Sequence, residues 1–489
     1  MDYLDQKKEA RHNIILFVGY ICIAVAIVLT AIVLLYQAYG FGVTRKGDVT
    51  QNGLLFFSSQ PNPANISING KLSKYSTNTR MAILSGVYKF ELTRDGYRNW
   101  ERLIEVEGGA VQHFDYPFLI PTELSDKKIK TYATAPAFST QSPDRRWLVV
   151  QQPGSVTSFE VFDLKNPTKA PVTISLPEAV LSKGATQSYE IVTWASDNDH
   201  FLLKHMFDGK TEYIITSRTA VDESRNLNNT LGVTPSKLTL LDKKFDKYYV
   251  LTNGTLQRAS LSDPTLITVK ERVLAYQSYG DDMVLYATDL DAPAGKTAIR
   301  LAVGSKEIYD IRNLPSSPTY LLDLTKYSDT LYIAAAGSNQ QKTYVYEDPI
   351  GQIKEQPKQL PAPIQVLRVA DPNYLSFSTS AQFVMVQNGN HYGVYDVENE
   401  RGYNYVASEP MDPPATHATW MDGNRLTYVS GGRTLIFDYD HNNPQFLLPA
   451  SSYYLPAFGP DYKFVYTFRN GAQPQMDLMQ VSLRSAADQ

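Results

Sequence analysis

The side chains able to act as acid, base, nucleophile or metal ligand are scattered along this 489-residue chain. His200 and His205 lie five apart on a predicted strand, so they point to opposite faces and do not share a metal. Asp438, Asp440 and Asn442 (DYDHN) alternate as calcium-loop ligands do. Asn443 and Pro449, however, occupy the sixth and twelfth places, where such a loop has Gly and Glu. The segment reads as a polar turn. Asp289 and Asp291, before Pro293, read as solvated loop residues. Tyr403, Tyr405, Tyr453 and Tyr454 offer rings that suit either sugar stacking or packing between strands. The sequence contains no Gly-x-Ser-x-Gly elbow, no His-Glu-x-x-His pair and no phosphate loop. No catalytic residue, cofactor or metal site is assigned from it.

The polar residues that do recur belong to turns. A unit made of an aromatic or aliphatic residue, a polar turn with Asp, and four to six apolar residues repeats along the C-terminal part. Examples are STQSPDRRWLVV from residue 139, WASDNDHFLLKH from 194, WMDGNRLTYV from 420 and FGPDYKFVYTF from 458. Asp144, Asp197, Asp246, Asp282, Asp329, Asp422 and Asp461 mark the register, and Ala381 breaks the pattern in the sixth unit. A carboxylate there accepts backbone N–H bonds of the turn. Its loss should cost about 1 kcal/mol, by analogy with helix caps. Successive marks are 36–53 residues apart, which suits one four-stranded blade per unit. Immunoglobulin-like domains would repeat nearer about 100 residues.

These units resemble the (W/F)SPDG repeats of TolB-type and WD-repeat-like propellers. The resemblance implies a β-propeller over residues 133–485, with eight blades favoured and seven, one of them split by closure, as the alternative.

Residues 50–121 form a separate block. Ala64, Ile66 and Ile68 alternate with polar residues, as in a half-buried strand, and Asn69-Gly70 follows as a hairpin turn. Ser59, Pro61, Ala64, Ile66, Ile68, Asn69 and Gly70, then Gly86, Tyr88, Phe90, Leu92, Gly96 and Tyr97, resemble the PEGA family of small β domains. Pro63 departs from the family's usual Gly before the Ala. The resemblance implies a compact β-sandwich on a surface or envelope protein, and no catalytic residue.

Ahead of this block, Ile14–Tyr36 runs 23 residues without a charge, long enough to cross a bilayer as a helix. A cleaved signal peptide has an apolar region of only about 7–15 residues. Residues 13–39 are therefore read as a retained anchor, with residues 1–12 inside. Lys7, Lys8 and Arg11 precede the span and Arg45 and Lys46 follow it, a thin inside-positive bias. The sole cysteine, Cys22, lies within the span, so the chain has no intrachain disulfide. A large exported part without thiols fits a bacterial surface.

The whole is thus expected to be all-β outside one transmembrane helix, a small sandwich followed by a propeller. Net charge is −4 with a pI near 6.0, which argues against nucleic acid as a partner. The expected function is a membrane-anchored extracytoplasmic binding protein of the bacterial envelope. Its partners are membrane lipid, through one helix, and an envelope protein or glycan. The alternative is a propeller hydrolase or lyase acting on envelope glycans or peptides.

Overall fold

The computed structural model describes residues 6–38, 41–43 and 49–488. Residue 39, the expected end of the anchor, and Arg45 and Lys46, the cations that follow it, lie outside the described residues. One long helix spans Gln6–Ala38, starting ahead of the anchor expected from residue 13. Its segment Arg11–Tyr36 has a mean hydropathy of 2.9 and buries none of its side chains within the protein. By length and composition it can cross a membrane.

The chain divides into two compact units, residues 1–123 and 124–489. In the first, the strands Lys71–Ser76, Asn65–Ile68, Gly86–Thr93 and Trp100–Val106 form one antiparallel sheet, in that order. A second sheet pairs Val49–Phe57 with Thr79–Leu84 and, in parallel, with Val111–Phe114. Trp100–Val106 alternates buried and exposed residues without a break, as a strand with one face on a core must. The two sheets share one core, built on Leu55, Phe57, Ile66, Phe90, Leu92 and Trp100.

In the second unit, eight four-stranded antiparallel sheets follow one another among the described residues. The first runs Ser139–Gln141, Trp147–Gln151, Ser158–Asp163, Val172–Ser175. Second strands read as near-continuous apolar runs, such as Trp147–Gln151 and Phe383–Asn388, because both faces of each sheet meet a neighbour. Apolar clusters join the first sheet to the second through Phe159 and Phe201, and the second to the third through Leu202 and Val250. The series continues through Tyr286, Ile333 and Val384 to Phe383 stacked on Tyr439 of the seventh sheet at 4.0 Å.

The last sheet closes the ring. Its strands are Ala457–Phe458, Phe464–Asn470, Met476–Ser482 and, from the start of the unit, Asp126–Tyr132. Leu148 of the first sheet packs with Tyr466 and Leu478 of the last. Lys130 and Tyr132 add polar ties to Glu160. This outer strand, Asp126–Tyr132, lies ahead of residue 133, where the sequence placed the start of the propeller. This ring of radially arranged sheets is a β-propeller. Two short helices, Leu227–Leu231 and Pro349–Glu355, lie within it, so helix is not confined to the N-terminus.

Candidate functional site

The seven marked aspartates and Ala381 all fall between the first and second strands of their sheets, hence on one rim of the ring. Their chemistry differs. Asp197 Oδ1 accepts the N–H groups of Asp199 and His200, both at 2.9 Å, and Oδ2 lies 2.7 Å from His200 Nδ1. Asp422 Oδ1 likewise accepts from Asn424 at 2.7 Å and Arg425 at 2.8 Å. Asp144 and Asp461 accept one N–H each, from Arg146 and Lys463, at 3.1 Å. At Asp246, Asp282 and Asp329 no backbone N–H reaches the carboxylate among the described residues. Asp329 itself adopts φ 66°.

The sixth turn corrects the register. Ala381 has φ 63°, matching Arg145, Asn198 and Tyr462, which each follow the aspartate. The residue equivalent to Asp is Ser380, whose hydroxyl accepts the Gln382 N–H at 3.4 Å. Ser378 Oγ accepts the Phe383 N–H, as Ser142 Oγ accepts that of Trp147. A hydroxyl replaces the carboxylate, so the unit is conservative rather than broken.

The hub is the second gathering of polar groups. First strands of neighbouring sheets lie side by side there and expose an unpaired edge. Lys237 Nζ donates to the Tyr276 carbonyl at 2.9 Å and sits over the Tyr276 ring. Asp323 Oδ2 accepts the Phe377 N–H at 2.8 Å and Oδ1 its neighbour's, Leu324, at 2.9 Å. Trp420 donates to Ser376, and Tyr374 stacks on His417 at 3.7 Å. Burial pushes the Asp323 carboxyl up to about 6 and the Lys237 ammonium down. Neither reaches the other within ion-pair distance among the described residues. Sequence reading missed this cluster, because no motif links residues so far apart in the chain.

The remaining candidates are structural in placement. His205 is fully buried, with Nδ1 2.8 Å from Glu212 and Nε2 3.0 Å from Gln187. Burial alone would push the Glu212 carboxyl up, but Ser182, His205 and Asn226 hold it below its ordinary value. Asp438 binds Asn443 and Asp440 binds Asn442, both at 2.8 Å, within one turn. Asp289 forms a two-pronged pair with Arg272, and Asp291 sits in the adjoining loop at φ 53°. Tyr405 and Tyr454 donate to the carbonyls of Tyr439 and Pro136. Tyr403 meets Tyr439 edge-on, while Tyr453 is 75% exposed.

In the sandwich, the motif residues build turns and core. Ser59 Oγ donates to the Pro61 carbonyl at 2.7 Å and contacts Thr77 Oγ1, which accepts the Ala64 N–H. Asn69 and Gly70, at φ 49° and 76°, form the expected hairpin turn. Ala64, Ile66 and Tyr97 are core residues, with Ile68 and Tyr88 packed against them. Gly86 and Gly96 take φ 150° and 80°, conformations that disfavour a side chain.

Residues 52–120 match the PEGA domain. The PEGA domain is therefore the first β unit of this chain. No curated protein matches the sequence. Among solved structures, the chain is similar to dipeptidyl peptidase 4 of Porphyromonas gingivalis. The two are 12% identical over 73% of this chain and 60% of that one, with a TM-score of 0.46. It is also similar to Hsv2p of Kluyveromyces lactis, at 11% identity over 64% and 97% of the two chains, with a TM-score of 0.40. An oligogalacturonate lyase in complex with manganese shares 12% identity over 73% and 98%, with a TM-score of 0.39.

Proposed function

We propose that this chain is a membrane-anchored extracytoplasmic binding protein of the bacterial envelope. In this reading the helix is a retained anchor with its N-terminus inside, the PEGA domain is a stalk, and each four-stranded sheet is one blade of an eight-bladed propeller. The observation that carries it is the joining of a PEGA domain to a propeller in one chain. The motif residues of both parts serve turns, core and strand ties, which leaves the propeller's loops to engage a protein or glycan.

A second reading, an envelope hydrolase or lyase, draws on Asp323. A half-buried carboxyl pushed up to about 6 has the acidity a general acid needs near neutral pH.

Two measurements test these readings. With Ser485→Cys, an impermeant maleimide should label intact cells, whereas Ala10→Cys should label only after lysis. The reverse result removes the extracytoplasmic placement. The full chain in nanodiscs is then incubated with envelope glycans and peptides. Stable binding without turnover supports the binding protein. Turnover that disappears in Asp323→Asn overturns it in favour of the enzyme.

A further inference from the structure

The third and fourth sheets part company at the rim that carries the marked aspartates. In the third sheet, Arg258 is the direct strand partner of Tyr249 on one side and of Ile267 on the other, so the three side chains share one face. In the fourth, Val284 and Ala302 are paired in the same way. Tyr249, Val284 and Ala302 belong to the apolar cluster that joins the two sheets, so these faces look at each other. Toward the rim they are separated by two adjoining cavities. One, of about 280 Å³, is lined by Lys247, Arg258, Asp263, Ile267 and Asp281 among others. The other, of about 320 Å³, has Tyr249, Arg258, Ile267, Val269, Asp282 and Val284 in its walls. Arg258, Ile267 and Asp281 border both, which makes them one groove. Its walls take nothing from the first strands at the hub.

The charges on this groove are exposed and uncommitted. Asp282 is one of the marked aspartates that serves no backbone N–H of its turn among the described residues. Arg258, Asp281 and Asp282 border the same cavity, yet no ion pair joins them among the described residues. Lys247, on the first cavity, is likewise exposed and without an ion pair there. Their neighbours are spoken for: Lys244 pairs with Asp242 at 2.9 Å, and Asp263 accepts the Thr265 N–H at 3.1 Å. Burial pushes the Tyr249 phenol up, Arg258 pulls it down, and Asp282 and Asp281 push it up, so both signs of charge act on one ring of the wall. A bare anion in this groove would meet Asp281 and Asp282, and a bare cation would meet Arg258 and Lys247. Among the described residues no three carboxylate or imidazole groups converge closely enough to hold a metal ion. A molecule that carries both charges satisfies both walls.

We propose that the groove between the third and fourth sheets binds a short apolar peptide in its zwitterionic form. The peptide's carboxylate lies at Arg258 and Lys247 and its ammonium at Asp281 and Asp282. Its side chains rest against Ile267, Val269 and Val284, and two cavities in line suit two residues rather than one. The site requires neither an extracytoplasmic placement nor a catalytic hub, so its failure would leave the function proposed above standing.

The test is saturation-transfer NMR on the full chain in nanodiscs, with leucyl-alanine as the probe. Its N-acetyl form lacks the ammonium, and its C-terminal amide lacks the carboxylate. Leucyl-alanine should bind saturably, and each blocked form about tenfold more weakly. Arg258→Gln should weaken leucyl-alanine to the level of its amide and leave binding of the amide unchanged. Asp281→Asn together with Asp282→Asn should do the same with respect to the acetyl form. The comparison of the three ligands uses the unaltered chain and does not depend on how well a variant folds. No saturable binding, equal binding of the three ligands, or a loss in Arg258→Gln that is the same for all three overturns the proposal. Free leucine binding as tightly as leucyl-alanine also overturns it, in favour of an amino acid. Inorganic phosphate displacing the dipeptide at equal concentration overturns it in favour of an anion site.

Discussion

The PEGA domain and the propeller are both built of antiparallel strands, but they distribute their stability differently. The PEGA domain has one core, in which Phe57, Phe90, Trp100 and Phe114 meet. The propeller spreads its apolar contacts over successive interfaces, each shared by two sheets. A small domain with one core has no reserve against the loss of a large side chain. A closed ring has neighbours on both sides of every sheet, and its polar groups can therefore be buried deep within a sheet, as His205 and Glu212 are.

The largest effect expected from this contrast is at Trp100, which is 1% exposed in the PEGA core. Trp100→Ala should cost about 5 kcal/mol. Calorimetry of the full chain in detergent should show the PEGA transition lost and the propeller transition kept. If both transitions fall together, the two regions do not fold as separate units.

Within the propeller, Glu212→Gln should cost about 3 kcal/mol, because it leaves His205 buried without its carboxylate. The PEGA transition should stay where it was. An unchanged propeller transition would mean that the His205 network contributes nothing to the ring.

The hub sharpens the comparison through pH. The Asp323 carboxyl is pushed up from 3.8 to about 6 in the fold, so the native state binds more protons than the unfolded state in between. Propeller stability should therefore fall as pH rises from about 4 to about 6, and Asp323→Asn should flatten that slope. Asp163 runs the other way: Arg146 holds it near 2, and its contribution is lost only as pH falls below 3.8 toward 2. A slope that survives Asp323→Asn assigns the proton elsewhere.

The smallest effects separate the rim turns. Asp197→Ala, which removes two backbone acceptor contacts, should cost about 1 kcal/mol. Asp329→Ala, with no such contact among the described residues, should cost less than about 0.5 kcal/mol. Equal losses would show that the turn conformation matters more than the side-chain bonds.

The sequence by itself determined what local spacing controls. Asn69-Gly70 forms its hairpin because both residues tolerate positive φ, and four of the marked aspartates, Asp144, Asp197, Asp422 and Asp461, serve backbone N–H groups of their turns. The apolar length of Arg11–Tyr36 was equally legible, being a property of consecutive residues. The tertiary structure alone decided three things. Asp126–Tyr132 pairs with Met476–Ser482 across the whole unit, and as an exposed outer strand it lacks the apolar alternation that reveals a strand. Ser380 takes the place of an aspartate because a hydroxyl can accept the same kind of N–H, an equivalence of hydrogen bonding that a search for Asp does not see. Lys237, Asp323 and Tyr374 share the hub only because the ring brings the first strands of separate sheets together. Such meetings are set by non-local packing, which leaves no periodic trace along the chain.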